Sequence, residues 1–196
     1  KPEDMKGMKL RVPPAPLFKM FTKSVGANAT PIAFAEVYLA LQQGTVDGQE
    51  NPLPTIMAKK FYEVQTHIML TGHITESLVT IVGGHVWAGM SDEDKATFEA
   101  VFKEAAAKAT DQIRAAEGVL ADKFRELGNT VVEVDRGPFI EAGKPVHNDP
   151  DSGATWTKEQ YDRLQALQDR RAGGAASGPT RARRALFRRP FPRVPT

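Results

Sequence analysis

The sequence contains no cysteine among its 196 residues. This excludes a disulfide scaffold, a zinc site with thiolate ligands and a cysteine nucleophile. It also has no apolar run close to the roughly 20 residues that a membrane-spanning helix needs. Residues 1–4 (KPED) have neither an initiating methionine nor the apolar core of a signal peptide. From this opening we expect the chain to be a fragment of a longer protein.

Motifs that bind cofactors or metals, or that carry out catalysis, are absent as well. The sequence has no G-x-G-x-x-G, no G-x-x-x-x-G-K-[ST] and no G-x-S-x-G. No pair of its four histidines has the spacing that places two imidazoles on one face of a helix or strand: His67, His73, His85 and His147. We therefore expect no metal, no cofactor and no enzymatic activity, and we interpret each histidine as a surface or packed side chain.

Charge is distributed unevenly along the chain. Residues 170–196 contain eight arginines and no acidic residue, whereas residues 1–169 have eighteen basic and twenty-four acidic residues. The acidic body argues against nucleic-acid binding, which needs clustered basic side chains. The tail has the composition of an arginine-rich arm for RNA or an anionic membrane. We favour a disordered extension, or translation of a GC-rich gene in the wrong frame.

The first part of the chain alternates between strand and helix patterns. It predicts a strand over 8–12, a helix ending at Gly26, a turn over 28–31 before a short strand, and a helix ending at Gly44. Residues 46–48 then form a very short strand or turn. A third helix over 52–64 follows, with Asn51 as its N-cap and Pro52 in its first turn. This order predicts parallel βαβ units and an α/β fold.

The second part contains two further apolar runs, 67–70 and 77–82, and the latter has the β-branched content of a buried strand. Ser91 and Asp94 form the pattern of a capping box. It precedes apolar residues at spacings of three and four that continue to Gly128. They predict one long helix, or two in line, of about 36 residues and about 54 Å. A strand over 131–134 and helices over 138–147 and 157–167 complete the pattern.

Three side chains are candidates for a ligand site at the carboxyl ends of these strands, where ligands bind in open α/β sheets. Arg11 presents the planar fork that matches a carboxylate. Asn51 brings an amide and the positive end of a helix to the same edge, and Phe34 lies at another strand end. The alternatives are a structural ion pair for Arg11, a plain cap for Asn51 and a core position for Phe34.

From Met5 to about Leu167 the chain resembles the second half of the solute-binding proteins of tripartite ATP-independent periplasmic (TRAP) transporters, of the DctP type. The segments that carry this resemblance are KLRVP at 9–13, GANATPIAFAEVY at 26–38, ALQQGTVDGQENP at 40–52 and KFYEV at 60–64.

The resemblance implies a periplasmic two-lobe α/β fold with a long helix between the lobes, in which most of the first lobe is missing. It divides the chain into a ligand-binding second lobe over 1–75 and a crossing strand and long helix over 76–128. A return strand with closing helices follows over 129–168. The arginine-rich tail over 169–196 has no counterpart.

The resemblance also implies a function. Such proteins capture an organic acid outside the cytoplasm, close around it and deliver it to a membrane permease, without turnover. It assigns the ligand carboxylate to Arg11, the pocket wall to Phe34 and a hydrogen bond to Asn51, and it adds Pro14, Gln49 and Glu50 to the pocket. Because Pro14 stands where some relatives that bind sialic acid carry a polar residue, that ligand is not carried over.

Two other classes remain open at this point. A small α/β enzyme could hold a substrate carboxylate on Arg11 and use Asp47 or Glu50 as a base. A protein that associates with nucleic acid or membranes could act through its basic tail.

Overall fold

A computed structural model describes residues 1–147, 149 and 155–175, the last eight as backbone alone. The fold is α/β, as predicted. It contains strands β1 (Lys9–Val12), β2 (Asn28–Pro31), β3 (Gly48–Gln49), β4 (His67–Leu70) and β5 (Thr130–Glu133). Its helices are α1 (Phe18–Val25), α2 (Val37–Gln42), α3 (Leu53–Ala58), α4 (Gly84–Gly89), α5 (Asp92–Glu126), α6 (Gly137–His147) and α7 (Lys158–Ala175). Short 3-10 turns occupy Pro2–Met5, Phe34–Glu36 and Phe61–Glu63.

The first sheet has three parallel strands in the order β2-β1-β3. Its central strand buries Leu10, Arg11 and Val12 in succession, which is typical of a parallel strand covered on both faces. Gly48 of β3 is opposite Leu10, and a Cβ at this glycine would lie 3.3 Å from Leu10 Cδ1. Because the three strands are parallel, all their carboxyl ends lie at one edge of the sheet. Strands and helices alternate along this part of the chain, as predicted.

Strand β2 lies earlier in the sequence than predicted. The segment 28–31, which we expected to be a turn, is the strand itself, and Phe34 begins a 3-10 turn. The backbone N–H groups of Asn28 and Ile32 donate to Met8 and Val12 of the β1 segment. Pro31 lies between these donors, where its missing N–H would point away from β1 at the edge of the sheet. An edge strand therefore tolerates the proline that suggested a turn.

The helices of this part are shorter than their patterns predicted. Helix α1 begins at Phe18, after a turn at Pro16 and Leu17, and it ends before Gly26 at φ +70° as predicted. The prediction of one helix over 52–64 was wrong, because Lys60 has a left-handed φ of +57° and separates α3 from the turn at Phe61. A left-handed residue cannot continue a right-handed helix.

The second sheet pairs β4 with β5 in parallel, over the two segments predicted as strands. Helix α5 joins the α4 region to β5 as one helix of 35 residues, about 52 Å long. Ser91 is its N-cap, as predicted, and its Oγ accepts from the backbone N–H of Asp94 at 3.1 Å. In a capping box the Asp94 carboxylate would accept from the backbone N–H of Ser91. Here it accepts from the Ser91 hydroxyl instead, at 2.6 Å.

The prediction of a buried strand over 77–82 was wrong. This segment has no regular secondary structure, and Leu78, Val79 and Ile81 are 92%, 80% and 86% exposed. Among the described residues, no strand pairs with it. A β-branched composition favours a strand only where neighbouring strands pack against it, and the described part of the chain places none beside this segment.

The main core brings α2, α3, β4 and α5 together around the buried side chains of Val37, Leu41, Ile56, Phe61 and Phe124. Phe124 is the buried residue of α5 and its ring centroid lies 5.7 Å from that of Tyr62. Upstream on the same helix, Val101 and Phe102 are exposed. The long helix is therefore fixed to the core near its C-terminal end.

Residues 155–175 belong to a second compact unit. Helix α7 begins with a capping box, in which Thr157 and Gln160 exchange side chain to backbone hydrogen bonds of 2.8 and 3.2 Å. It continues to Ala175, seven residues into the segment that we assigned to the tail. Residues 176–196, which hold the rest of the tail, lie outside the described residues. In the described part of the chain, no helix combines the length and hydrophobicity needed to cross a membrane.

We predict that Phe124→Ala lowers the free energy of unfolding by about 3–5 kcal/mol, because it leaves a cavity where a fully buried ring packs. Urea denaturation followed by circular dichroism measures this change. Phe102→Ala is the matched control on the same helix; its ring is 40% exposed, and we expect a loss below about 1 kcal/mol. Equal losses for the two variants would contradict the anchoring of α5 through its C-terminal end.

Candidate functional site

Arg11 places a buried guanidinium at the carboxyl edge of the first sheet. The residue is 2% exposed, and its Nε and Nη2 donate to the backbone oxygen of Ile32 at 3.0 and 2.7 Å. Since Ile32 directly follows β2, the side chain reaches the end of the neighbouring strand. These bonds use two of the five N–H groups of a guanidinium. Within the described part of the chain, the other three have no hydrogen-bond acceptor.

No carboxylate of the described residues lies within 4 Å of the Arg11 guanidinium, so the alternative of a structural ion pair is not what the structure shows. Burial lowers the pKa of Arg11, and the nearby Glu50 carboxyl opposes this shift. A guanidinium remains charged even after a considerable lowering of its pKa. The site therefore holds a buried positive charge without a directly bonded counter-ion.

Phe34 lies beside this charge. The Arg11 Cζ is 5.8 Å from the centre of its ring, and the Lys59 Nζ is 5.4 Å from it. The ring packs edge-on against the buried Phe61, with 6.1 Å between centroids, and remains 42% exposed. Phe34 is therefore not a core residue. It forms a partly exposed aromatic surface at the end of β2, in contact with two cations.

The loop after β3 brings Gln49, Glu50 and Asn51 to the same edge. The prediction that Asn51 caps α3 was wrong: the N-cap is Pro52, and no side chain bonds to the first turn. Instead, Asn51 Nδ2 donates to Gln49 Oε1 at 2.6 Å. This bond uses one of the two N–H groups of the Asn51 amide and fixes its orientation from within the loop.

Sequence reasoning missed His73, which the structure places against Glu50. The His73 Nε2 and Glu50 Oε2 atoms are 3.8 Å apart, and the side chains are only 16% and 9% exposed. His73 follows the carboxyl end of β4 by three residues. The edge rule that selected Arg11 and Asn51 would have selected it too, if applied to the second sheet. A search for pairs of histidines could not find a histidine whose partner is a glutamate.

Burial shifts the titration of both side chains. Desolvation raises the pKa of Glu50 to about 7; the Glu76 carboxylate adds to this shift and Arg11 opposes it. Desolvation also lowers the pKa of His73 to about 4. Between these values His73 is neutral and the Glu50 carboxyl is largely protonated. The positive charge of Arg11 therefore dominates the site below neutral pH.

Two other candidates have no described hydrogen bond or ring contact with this cluster. Pro14 is in an exposed bend after β1, and none of the contacts described joins it to Arg11, Phe34 or Asn51. Asp47 precedes β3 and lies at the amino end of β1, where its carboxylate accepts from the Lys9 backbone N–H at 2.7 Å. It aligns the two strands at that end.

Comparison with known proteins identifies the family. The model of the bacterial extracellular solute-binding proteins, family 7 (DctP), matches residues 1–151. The chain belongs to this family. A curated relative, the sialic acid-binding periplasmic protein SiaP of Vibrio cholerae, is 42% identical over 150 residues, covering 76% of this chain and 47% of the relative. The resemblance that the sequence motifs carry is thereby confirmed.

Solved structures agree with this assignment to the DctP family. A TRAP periplasmic solute-binding protein from Polaromonas bound to D-erythronate has a TM-score of 0.75 and 34% identity, and the match covers 86% of this chain and 54% of that one. A second, from Roseobacter denitrificans with bound 3-deoxy-D-manno-oct-2-ulosonic acid, has a TM-score of 0.74 and 33% identity, covering 85% and 54%. The chain thus spans about half the length of the relatives it matches.

The shifted pKa values of Glu50 and His73 in this DctP-family site give the free energy of unfolding opposite dependences on pH. Glu50 has a folded-state pKa above its ordinary 4.5, so its contribution is present at low pH and is lost as pH rises toward about 7. His73 has a folded-state pKa below its ordinary 6.5, so its contribution is present at higher pH and is lost as pH falls toward about 4. In the shared window the two dependences oppose each other.

We predict that single substitutions expose each dependence. Relative to the unaltered chain, Glu50→Gln should make the free energy of unfolding rise more steeply with pH between about 4.5 and 7, because only the His73 contribution remains. His73→Gln should make it fall with pH over the same range. Urea unfolding at several pH values measures both slopes, and the double variant is the control, with a slope close to that of the unaltered chain. Slopes that change in the same direction in both single variants would contradict this account.

Proposed function

We propose that this chain is the ligand-holding part of an extracytoplasmic solute-binding protein that captures an organic acid and delivers it to a TRAP membrane permease. The observation that carries the proposal is the buried Arg11 guanidinium with three N–H groups that have no acceptor among the described residues. A carboxylate fits this fork with two parallel hydrogen bonds. Its negative charge would supply the counter-ion that the site lacks.

The neighbouring groups support a bound carboxylate for a physical reason. A buried ion pair is stable only when further hydrogen bonds offset the desolvation of both charges. Asn51, oriented by Gln49, offers an amide at the same edge, and the exposed face of Phe34 offers an apolar surface for the rest of the ligand. We assign the carboxylate to Arg11, a hydrogen bond to Asn51 and the pocket wall to Phe34, with Gln49 and Glu50 beside them.

The ligand class follows from the same chemistry. One guanidinium, one amide and one aromatic ring suit a small organic acid with hydroxyl groups. The three relatives named above bind sialic acid, D-erythronate and 3-deoxy-D-manno-oct-2-ulosonic acid, according to their descriptions. We propose a periplasmic location and a permease partner on the same basis. Binding proteins of this kind hold and release a ligand without changing it.

The first test is an NMR titration of the chain with D-erythronate, and with erythritol as the matched compound that lacks the carboxylate. We expect D-erythronate to shift the Arg11 Nε–H and Asn51 side-chain resonances, with weak affinity because the chain spans about half of its relatives. Erythritol should shift neither. Equal shifts from both compounds would contradict the role of the carboxylate in binding. Conversion of D-erythronate to another compound would support an enzyme instead.

Substitution of Arg11 tests the assigned residue. We predict that Arg11→Lys weakens D-erythronate binding about 10- to 100-fold, because an ammonium cannot reproduce the two parallel bonds of a guanidinium. Arg125→Lys is the control, since Arg125 is partly exposed at the end of α5 and binds Asp122. If both variants bind D-erythronate as the unaltered chain does, Arg11 does not hold the carboxylate.

A further inference from the structure

The imidazole of His73 has a hydrogen-bond partner on only one side. Its Nδ1 is 2.7 Å from the hydroxyl oxygen of Thr71. Thr71 is itself fixed just beyond β4, where its backbone N–H donates to Met69 at 3.0 Å. The other ring nitrogen, Nε2, is buried without a hydrogen bond among the described residues and faces Glu50.

Packing fixes the plane of this imidazole. The Phe21 ring of α1 stacks on it with 3.8 Å between centroids and 23° between planes. Phe139 of α6 lies in turn 6.4 Å from Phe21. With the faces of these rings stacked, the imidazole cannot rotate without breaking the stack. Phe21 of α1 therefore sets the plane of the ring, and the contact between Thr71 and Nδ1 sets the direction of Nε2.

The backbone between Thr71 and His73 is fixed as well. Gly72 has a φ of +56°, and a Cβ at this position would lie 2.6 Å from the Arg136 Cζ. Only glycine meets both conditions without strain. The turn that brings the Thr71 hydroxyl to the ring of His73 therefore requires a glycine between them.

The hydrogen-bond inventory selects one tautomer. A threonine hydroxyl can donate to Nδ1 or accept from it. If it accepted, its own proton would have no acceptor among the described residues. If it donates, the Thr71 hydroxyl and Nδ1 satisfy each other, and the proton of His73 is on Nε2, directed toward Glu50.

We propose that Thr71 and Phe21 are positioning residues that hold His73 as its neutral Nε2–H tautomer, so that the N–H of His73, rather than an N–H of Arg11, faces the Glu50 carboxyl. This inference rests on the proposed function, because it explains how Arg11 stays available for a ligand carboxylate. The charged groups around the pair are Glu76, whose carboxylate acts on Glu50, Arg11 itself, and Arg136 beside Gly72.

The test is NMR of the full chain with ¹⁵N-labelled imidazoles at pH 6–7, without ligand. For His73 we expect Nε2 at the shift of a protonated ring nitrogen and Nδ1 at that of an unprotonated one. Thr71→Val, which removes the hydroxyl at nearly constant volume, should move a large part of the His73 population to the Nδ1–H form. Thr71→Ser should restore the tautomer of the unaltered chain.

A matched control exists in the same chain. Thr66 Oγ1 is 2.7 Å from the Nδ1 of the exposed His67, so Thr66→Val removes an equivalent contact from a histidine outside the site. It should leave the His73 signals unchanged. Phe21→Leu should broaden the His73 signals, because the ring loses its stacking partner.

A predominant Nδ1–H form in the unaltered chain, or a His73 tautomer that Thr71→Val does not change, would overturn the proposal. Because these measurements need no ligand, they are independent of the carboxylate titration. A tautomer that responds as expected, in a chain that binds no carboxylate, would uphold the positioning role and reject the proposed function. If the tautomer responds as expected and the chain also binds D-erythronate, Thr71→Val should weaken that binding several-fold.

Discussion

The burial of one guanidinium is the constraint around which the first sheet is arranged. Arg11 occupies a central parallel strand, where both faces are covered and where a charged side chain is rarely stable. It is tolerated because the Ile32 oxygen, just beyond β2, accepts two of its hydrogen bonds. That contact requires β2 to end at Pro31 and the chain to turn before Phe34. The geometry of the edge strand, the exposure of the aromatic ring and the charge of the site therefore depend on the same two bonds.

The parts of the fold that depend on local patterns could be predicted from the sequence. Apolar spacing predicted α5 within a few residues, and glycines marked the ends of α1 and α2, because these signals act within a few turns of the chain. The carboxyl-edge rule brought out Arg11 and Asn51 for a similar reason: parallel strands place their ends together whatever else the fold does. Their assignment as ligand-binding residues remains a proposal.

Predictions that depended on tertiary partners were less successful. The segment 77–82 has the composition of a buried strand but no neighbouring strand in the described part of the chain, so composition alone could not determine its state. Asn51 has the residue type of a helix cap, but its amide donates to the side chain of Gln49, two residues earlier, instead of capping α3. His73 lies against Glu50 across 23 positions of sequence, and no local pattern relates the two residues. In each case the deciding group lies outside the local pattern.

The arrangement of α5 has a consequence for how the chain exchanges hydrogen with solvent. The helix is fixed near Phe124 by α3 and β5, while its side chains upstream, such as Val101 and Phe102, are exposed. A helix held at one end opens in small steps from the other, because each turn that unwinds there gives up little buried surface. Amide protection should therefore be graded along its length, lowest in the turns after Ser91 and highest in the last two turns before Leu127. One continuous helix would then contain weakly protected amides in its first turns and strongly protected amides in its last turns.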